Sequence, residues 1–241
     1  MIVDERMTIF IDSMDTPNAE YLNQLEKYSR ETNVPIIRPS MQSFLKLLLA
    51  IKQPKKILEV GTAIGFSALL MSEYGPEDCH ITTIEKYEKR IPLAKENFVK
   101  AGKEERITLL EGDAAEILKE LEGTYDFIFM DAAKGQYINF LPDILRLLED
   151  GGMLVSDNVL QDGELKESRF AVTRRNRTIH GRMRDYLYEL KHHPQLVTSI
   201  LPVGDGVTVS VKQKNKDVED MGDCMEAGGE NEENGITNTG K

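Results

Sequence analysis

Apolar residues follow two alternating patterns along the body of the chain, from residue 19 to residue 212. Short continuous apolar runs are typical of buried strands, whereas apolar residues at three- and four-residue spacing are typical of amphipathic helices. The runs predict strands at residues 56–60, 80–84, 107–110, 125–130 and 153–156. The helical spacing predicts helices between them, at residues 67–74, 88–101, 114–121 and 137–148. Because strand and helix alternate, we expect an α/β fold, in which a parallel sheet carries helices on both faces.

The pattern changes at both ends of this alternating region. Residues 196–201 and 207–211 are two further apolar runs, and the turn sequence Pro-Val-Gly-Asp-Gly between them predicts a hairpin. A hairpin would place one antiparallel strand in the otherwise parallel sheet. Ahead of the first strand, residues 19–31 and 40–50 have helical spacing and are separated by prolines. We expect these N-terminal helices to cover the carboxyl ends of the strands, where open α/β sheets bind ligands.

The composition is that of an ordinary globular protein, with 40% hydrophobic and 29% charged residues among 241. We predict one domain over residues 1–213, with residues 1–52 capping the ligand end of the sheet. Residues 214–241 are acidic and too poor in apolar surface to fold, so we predict a disordered tail. No apolar run approaches the roughly 18 residues of a membrane span, and the first residues lack a signal-peptide pattern, which favours a cytoplasmic protein. Two cysteines are too few for a disulfide framework or a zinc cluster.

Candidate ligand-binding residues follow three successive strands. Gly61 and Gly65 follow the first strand, where glycines let the backbone turn tightly and approach a ligand near a helix N-terminus. Their spacing is G-x-x-x-G and not the G-x-G-x-x-G of NAD and FAD enzymes; a tight turn without a ligand is the alternative. Glu85 ends the second strand, where a carboxylate can accept ribose hydroxyls. Asp113, with the backbone of Ala114, could reach an adenine edge, and together these residues predict an adenosine pocket.

Oxygen ligands follow the next two strands. Asp131 comes directly after the fourth strand, and Asp157 and Asn158 come directly after the fifth. Carboxylate and amide oxygens are the ligands that Mg²⁺ and similar hard cations prefer, and no Cys or His lies nearby to suggest zinc. A simple turn is the alternative for Asp157 and Asn158. The pairing with Asp131 favours a metal site.

On these residues the chain resembles class I S-adenosylmethionine-dependent methyltransferases over residues 20–212. The resemblance implies a Rossmann-like sheet of seven strands that ends in an antiparallel hairpin. It also implies a cofactor site made of Met41, Glu59, Gly61, Thr62, Gly65, Ser67, Glu85, Asp113, Ala114 and Asp131. For Met41 in particular, packing between helices is the alternative, because methionine commonly fills cores.

The sequence Asp131-Ala-Ala-Lys134, together with Asp157 and Asn158, is similar to that of the metal-dependent O-methyltransferases of the catechol and caffeoyl-coenzyme A type. This resemblance implies that Asp131, Asp157 and Asn158 hold Mg²⁺ or a similar divalent cation, and that Lys134 and Asp131 are catalytic. Lys134 matches the lysine regarded as the general base, but it could instead orient the substrate hydroxyl or be a solvated loop lysine. A non-catalytic or NAD-dependent nucleotide-binding module would leave these four residues without a shared purpose.

A basic segment, Lys166 to Arg184, follows the predicted metal ligands and carries seven basic residues against one acid in a chain of net charge −11. Arginines suit phosphate recognition, and Phe170 or His180 could stack on an unpaired base; a solvated helix face is the alternative. The candidate RNA-binding residues are Arg169, Arg174, Arg175, Arg177, Arg182 and Arg184.

The basic segment resembles that of bacterial tRNA 5-hydroxyuridine methyltransferases, which make 5-methoxyuridine at the anticodon wobble base. In 5-hydroxyuridine the 5-hydroxyl and the 4-carbonyl are vicinal oxygens, which can chelate Mg²⁺ as a catechol does. The resemblance therefore implies tRNA, through its anticodon loop, as the acceptor, and a homodimer. A small-molecule O-methyltransferase of the catechol or caffeoyl-coenzyme A type is the alternative.

Overall fold

The computed structural model of the chain describes residues 4–168, 172–174 and 176–214. The helices in this part of the chain are α1 (Glu5–Asp12), α2 (Glu20–Thr32), α3 (Pro39–Lys52), α4 (Phe66–Tyr74), α5 (Ile91–Lys100), α6 (Ala114–Glu120), α7 (Tyr137–Leu147) and α8 (Arg177–His192). The strands are β1 (Lys56–Val60), β2 (His80–Glu85), β3 (Ile107–Glu111), β4 (Tyr125–Met130), β5 (Leu148–Ser156), β6 (Leu196–Leu201) and β7 (Val207–Lys212). All seven predicted strands are therefore present.

The strands form one sheet in the order β3-β2-β1-β4-β5-β7-β6. Neighbours from β3 through β5 pair in parallel, whereas β7 is antiparallel to both β5 and β6. This confirms the expected seven-stranded sheet with its antiparallel C-terminal hairpin. The order reverses between β1 and β4, and a crevice forms at the carboxyl ends of the strands where such a reversal occurs.

Side chains alternate between two cores on opposite faces of the sheet, as the period of two in a strand requires. Phe127 and Phe129 of β4 pack in the core that α2 to α5 cover. Ile128 and Met130 of the same strand pack in the second core, under α6, α7 and α8. Because both faces are covered, the central strands read as continuous apolar runs, and this made them visible in the sequence.

The N-terminal region supplies a helix that the sequence analysis did not predict. Helix α1 begins after Asp4, whose side chain accepts hydrogen bonds from the backbone N–H groups of Arg6 and Met7 at 3.0 and 3.2 Å. None of its residues is buried, so it lacks the apolar periodicity that marks a packed helix. Helices α2 and α3 pack against α4, and the connection between them, residues 35–38, reaches the carboxyl ends of the strands.

The predicted tail, residues 214–241, lies outside the described residues apart from Lys214. The division into a domain and a tail therefore stays a prediction. Among the helices of the described residues, none is long and apolar enough to cross a membrane.

Candidate active site

A cavity of about 610 Å³ opens at the carboxyl ends of the parallel strands. Its wall contains ten of the residues singled out in the sequence: Gly61, Thr62, Ser67, Glu85, Asp113, Ala114, Asp131, Lys134, Asp157 and Asn158. The sheet brings these residues together because they follow β1 to β5, whose carboxyl ends lie at one edge.

The glycine loop between β1 and α4 packs directly against the end of β4. Gly61 has φ +108°, and a Cβ atom there would lie 2.2 Å from the carbonyl oxygen of Asp131. Gly65 precedes α4 at φ +86°, and a Cβ atom there would lie 2.4 Å from the ring of Phe98. Both positions therefore require glycine, for backbone conformation and for close approach. The loop is held in place because the Asn97 side chain donates to the Ile64 carbonyl at 2.8 Å.

Glu59 lies in β1 beneath this loop and is completely buried. One carboxylate oxygen accepts a hydrogen bond from the Thr83 hydroxyl at 2.5 Å, and Thr83 in turn contacts the Thr62 hydroxyl at 2.6 Å. The other oxygen, Oε1, has no hydrogen-bond partner among the described residues. Burial raises the pKa of Glu59 to about 7, although the hydroxyls of Ser67 and Thr83 oppose the rise. A buried acceptor without a donor fits a cationic or N–H group of a bound ligand.

Two more carboxylates line the far side of the cavity. Glu85 accepts hydrogen bonds from the backbone N–H groups of Ala63 at 2.7 Å and Tyr87 at 2.8 Å, so it holds the glycine loop against the end of β2. Asp113 caps α6 by accepting from the Ala115 N–H at 2.9 Å. That hydrogen bond and the ammonium of Lys86 lower the pKa of Asp113. Both side chains are therefore fixed as acceptors at the positions predicted for an adenosine.

Asp131 and Asp157 follow adjacent strands and bring two carboxylates into one buried region. Burial raises the pKa of both carboxyl groups. The negative charge of Asp131 raises the pKa of Asp157 further, whereas the positive charge of Lys134 lowers the pKa of Asp131. Asn158 has φ +59°, a left-handed conformation that asparagine tolerates better than most residues. Its side-chain Nδ2 donates to Asp205 at 3.2 Å, so the amide oxygen is the atom that could bind a metal.

These side chains fit a divalent cation. Two buried carboxylates with raised pKa values lack sufficient positive charge around them, and a hard cation would supply it. In the described part of the chain no three His, Cys, Asp or Glu side chains converge on one point, so the amide oxygen of Asn158 and water or substrate oxygens would complete the coordination.

A buried tyrosine fixes the strand ends that carry the two carboxylates. The Tyr137 hydroxyl accepts from the Ala132 N–H at 3.3 Å and lies 3.1 Å from the carbonyl oxygens of both Met130 and Asp157, to which it donates. Its ring packs edge-on against Tyr186 at a centroid distance of 5.4 Å. The side chain is fully buried. Tyr137 therefore sets the spacing between the ends of β4 and β5.

Comparison with known proteins identifies the family. The sequence model of a family described as O-methyltransferase matches residues 12–213. The chain belongs to this O-methyltransferase family. Caffeoyl-CoA O-methyltransferase 2 of Populus trichocarpa is 34% identical over 180 residues, which cover 69% of this chain and 70% of that protein. S-adenosylmethionine-dependent methyl transfer to oxygen is accordingly the activity of the family to which this chain belongs.

Solved structures agree with this assignment. A protein of Staphylococcus aureus assigned as a caffeoyl-CoA O-methyltransferase superposes with a TM-score of 0.80 at 31% identity, over 87% of this chain and all of that one. A Podospora anserina methyltransferase solved with S-adenosylhomocysteine bound superposes with a TM-score of 0.78 at 28% identity, over 88% of this chain and 95% of that one.

In this O-methyltransferase, Lys134 begins a short 3₁₀ turn, Lys134–Gln136, in the cavity wall. The turn is anchored from the basic segment, because Arg182 donates to the Gly135 carbonyl oxygen at 3.1 Å. Ile179 packs beside the same glycine. The start of α8 and the Lys134 turn are therefore one connected unit at the rim of the cavity.

The residues of the basic segment differ in their exposure and in their contacts. Arg174, Arg182 and Arg184 are exposed, and Arg177 begins α8 with its Nε donating to the Val172 carbonyl at 3.3 Å. The predicted contacts Arg169, Arg175 and Phe170 lie outside the described residues. His180 is 1% exposed and its Nε2 lies 3.2 Å from the Glu167 carbonyl oxygen. The expectation that His180 could stack on a base is therefore wrong, because its ring packs inside the protein.

Three predicted cofactor residues lie behind the cavity wall. Met41 is fully buried in the core with α2 and α4, which favours the packing alternative. Glu59 and Gly65 support the wall from beneath. Arg38 and Asp205 are among the wall residues that the sequence did not point to. Asp205 was hidden because Pro-Val-Gly-Asp-Gly was interpreted only as a turn.

Proposed function

We propose that this O-methyltransferase transfers the methyl group of S-adenosylmethionine to the 5-hydroxyl of 5-hydroxyuridine at the wobble position of tRNA, giving 5-methoxyuridine, with the help of a divalent cation. The observation that carries the choice of acceptor is the hydrogen bond from Arg182 to Gly135, because it connects the basic segment to the turn that contains Lys134.

The cofactor would lie along the strand ends from β1 to β3. Glu85 and Asp113 present fixed acceptors for the adenosine part. The glycine loop and Ser67 are proposed to hold the methionine part, with the buried carboxylate of Glu59 beneath them, whose unpartnered Oε1 atom would favour a positive charge there. The backbone at Gly61 approaches Asp131 closely, so this end of the cofactor would lie next to the metal ligands.

Asp131, Asp157 and Asn158 would hold the cation, with Mg²⁺ as the expected metal. Bound at these sites, S-adenosylmethionine supplies the methyl group and the cation favours the ionised form of the acceptor hydroxyl. We assign the neutral amine form of Lys134 to accept the hydroxyl proton at Nζ, which becomes an ammonium, because Lys134 lies in the cavity wall three residues from Asp131. Tyr137 holds the ends of β4 and β5 together, so Asp131 and Asp157 would present a fixed site to the cation and the acceptor.

The acceptor side of the cavity carries positive charge. Arg174, Arg177 and Arg184 lie in or next to the first turns of α8, the helix whose side chains contact the Lys134 turn. In an acidic protein, a concentrated basic surface beside an active site attracts polyanions, and arginine suits phosphate groups. The anticodon loop offers phosphates around an unpaired base, which supports tRNA as the partner.

The direct test is methyl transfer from labelled S-adenosylmethionine to tRNA that carries 5-hydroxyuridine at the wobble position. We expect incorporation into this tRNA, none into the same tRNA with uridine there, and loss of incorporation with EDTA that is restored by Mg²⁺. Asp157→Asn should abolish transfer, whereas Glu105→Gln, an exposed acid remote from the cavity wall, serves as the control. If hydroxyuridine-containing tRNA is inert while catechol or caffeoyl-CoA is methylated, the tRNA assignment is wrong.

A small-molecule O-methyltransferase is the second candidate, and the similarity to a caffeoyl-CoA O-methyltransferase favours it. The two candidates differ in their dependence on the basic segment. Charge reversal at Arg174 and Arg177 should reduce transfer to tRNA and leave transfer to catechol unchanged. Because coenzyme A also carries phosphates, catechol is the cleaner comparison.

We also propose that the protein acts as a homodimer. Phe10 and Ile11 of α1, Met14 just after it, and Leu47 and Ile51 of α3 are all more than half exposed. Helices α1 and α3 contact each other, and several exposed apolar side chains on neighbouring elements are typical of a subunit interface. Sedimentation of the purified protein would give the oligomeric state.

A further inference from the structure

The side-chain amide of Asn158 is oriented by a second carboxylate. Its Nδ2 lies 3.2 Å from Oδ2 of Asp205, in the turn between β6 and β7. A carboxylate accepts hydrogen bonds and donates none, so it selects the N–H end of an amide. An asparagine binds a metal only through its oxygen. The contact with Asp205 therefore decides which end of the amide is available to a cation.

Asp205 is itself held in place on two sides. Its Oδ1 pairs with Nη2 of Arg38 at 2.7 Å, and its side chain is only 13% exposed. The backbone of its turn is tied to the metal-ligand loop, because Val159 and Leu160 donate to the carbonyls of Gly206 and Asp205 at 2.9 and 3.0 Å. Arg38, Asp205 and Asn158 thus form a continuous chain of polar contacts along one wall of the cavity.

We propose that Asp205 is a positioning residue that fixes the Asn158 amide with its oxygen toward the cation, and that Arg38 holds Asp205 in the orientation this requires. The inference rests on the proposed metal role of Asn158. Arg38 ends the segment of residues 35–38 that lines the cavity and also borders a groove between α2 and α3. The same arginine therefore links the wall of the active site to the geometry of the metal ligand.

Binding of Mn²⁺ to the metal-free protein, followed by electron paramagnetic resonance, tests this without an activity measurement. Asp205→Asn should weaken Mn²⁺ binding by about 10- to 100-fold, the usual effect of removing a hydrogen-bond partner of a metal ligand. The new amide can donate as well as accept, so it no longer selects one orientation of Asn158. Binding of S-adenosylhomocysteine and the midpoint of thermal unfolding should stay close to those of the wild type.

Arg38→Gln distinguishes a positioning role of Arg38 from a simple electrostatic effect, because the two predict opposite changes in Mn²⁺ affinity. Removing a positive charge near the site should strengthen Mn²⁺ binding if charge alone matters. Loss of the support for Asp205 should weaken it. Tighter or unchanged Mn²⁺ binding in this variant would overturn the role given to Arg38.

A double-mutant cycle isolates the orientation of the amide. In an Asn158→Asp background, residue 158 presents an oxygen whichever way its side chain turns, so adding Asp205→Asn should have little effect on Mn²⁺ affinity. An equal loss in both backgrounds, or no loss in the single variant, would overturn the inference about Asp205. If the wild type does not bind Mn²⁺, or if Asp157→Ala does not remove the binding, the proposed metal site itself is wrong. This inference is then wrong as well.

Discussion

Glu59 shows how one buried side chain makes stability depend on pH. Its pKa is raised from an ordinary 4.5 to about 7 in the folded protein, chiefly by burial. A raised pKa in the folded state means that this group's contribution to stability is complete below about pH 4.5 and is lost as pH rises through 7. The difference between the two pKa values corresponds to about 3 kcal/mol.

We predict that Glu59→Gln removes this part of the pH dependence, because the amide keeps the shape of the side chain and carries no charge. Urea unfolding of the ligand-free protein at pH 5 and pH 8 would measure it. The wild type should lose up to about 3 kcal/mol more than the variant between these two values. The exposed Glu105→Gln is the matched control and should unfold with the wild-type pH dependence. Equal losses in the wild type and in Glu59→Gln would contradict the raised pKa.

At the scale of elements, α8 carries arginines with different structural roles. Arg182 donates to the Gly135 carbonyl and thereby anchors the Lys134 turn. Arg184 lies two residues further along the same helix and is also exposed. Its position suits a contact with a phosphate.

We predict that Arg182→Ala lowers kcat for tRNA and for any small acceptor the enzyme methylates, because the turn that contains Lys134 loses its anchor. Arg184→Ala should instead raise the KM for tRNA only, and reduce the salt dependence of tRNA binding by about one phosphate contact. Steady-state kinetics with both acceptors at two salt concentrations would distinguish the two variants. Identical effects of the two substitutions on kcat and KM would show that Arg182 has no special structural role.

Sequence patterns predicted the elements that bury apolar side chains. Strands β1, β4 and β6 have the predicted bounds. Strands β1 and β4 are buried runs in the centre of the sheet, whereas β6 lies at its edge. Helix α1 was missed because it buries no residue. Helix α8 does contain a signal, since His180, Met183, Tyr186 and Leu190 recur at helical spacing and are buried. The arginines between these positions favoured an interpretation of this segment by its charge.

The residues of the candidate site also differ in how readily the sequence predicts them. Residues directly after strands, such as Asp131 and Asp157, could be predicted because the carboxyl ends of parallel strands share one edge. Asp205 could not, because its role depends on the pairing of β7 with β5, which brings a distant turn beside Asn158. At Met41 the sequence could not distinguish a cofactor contact from a core position, because methionine commonly fills cores.

At the scale of the whole molecule, the distribution of charge matters more than its sum. The net charge is −11, but residues 215–241 alone contain eight acids and two lysines. The basic segment from Lys166 to Arg184 has the opposite sign, and its Arg182 contacts the Lys134 turn in the cavity wall. A polyanion that approaches the active site is therefore attracted by one part of the chain and repelled by another.

We predict that truncation after Lys214 strengthens tRNA binding by about two- to tenfold at low salt, because it removes a net charge of −6 that repels the phosphates. Strand β7 ends at Lys212, so the sheet stays whole. The gain should disappear at several hundred millimolar salt, where the Debye length falls to about 5 Å. A variant with a tail of the same length, whose eight acids are replaced by their amides, should match the truncated protein if charge is the cause. Two results would contradict electrostatic repulsion by the tail. One is tRNA binding that truncation leaves unchanged at low salt, and the other is wild-type binding strength in the variant with the neutral tail.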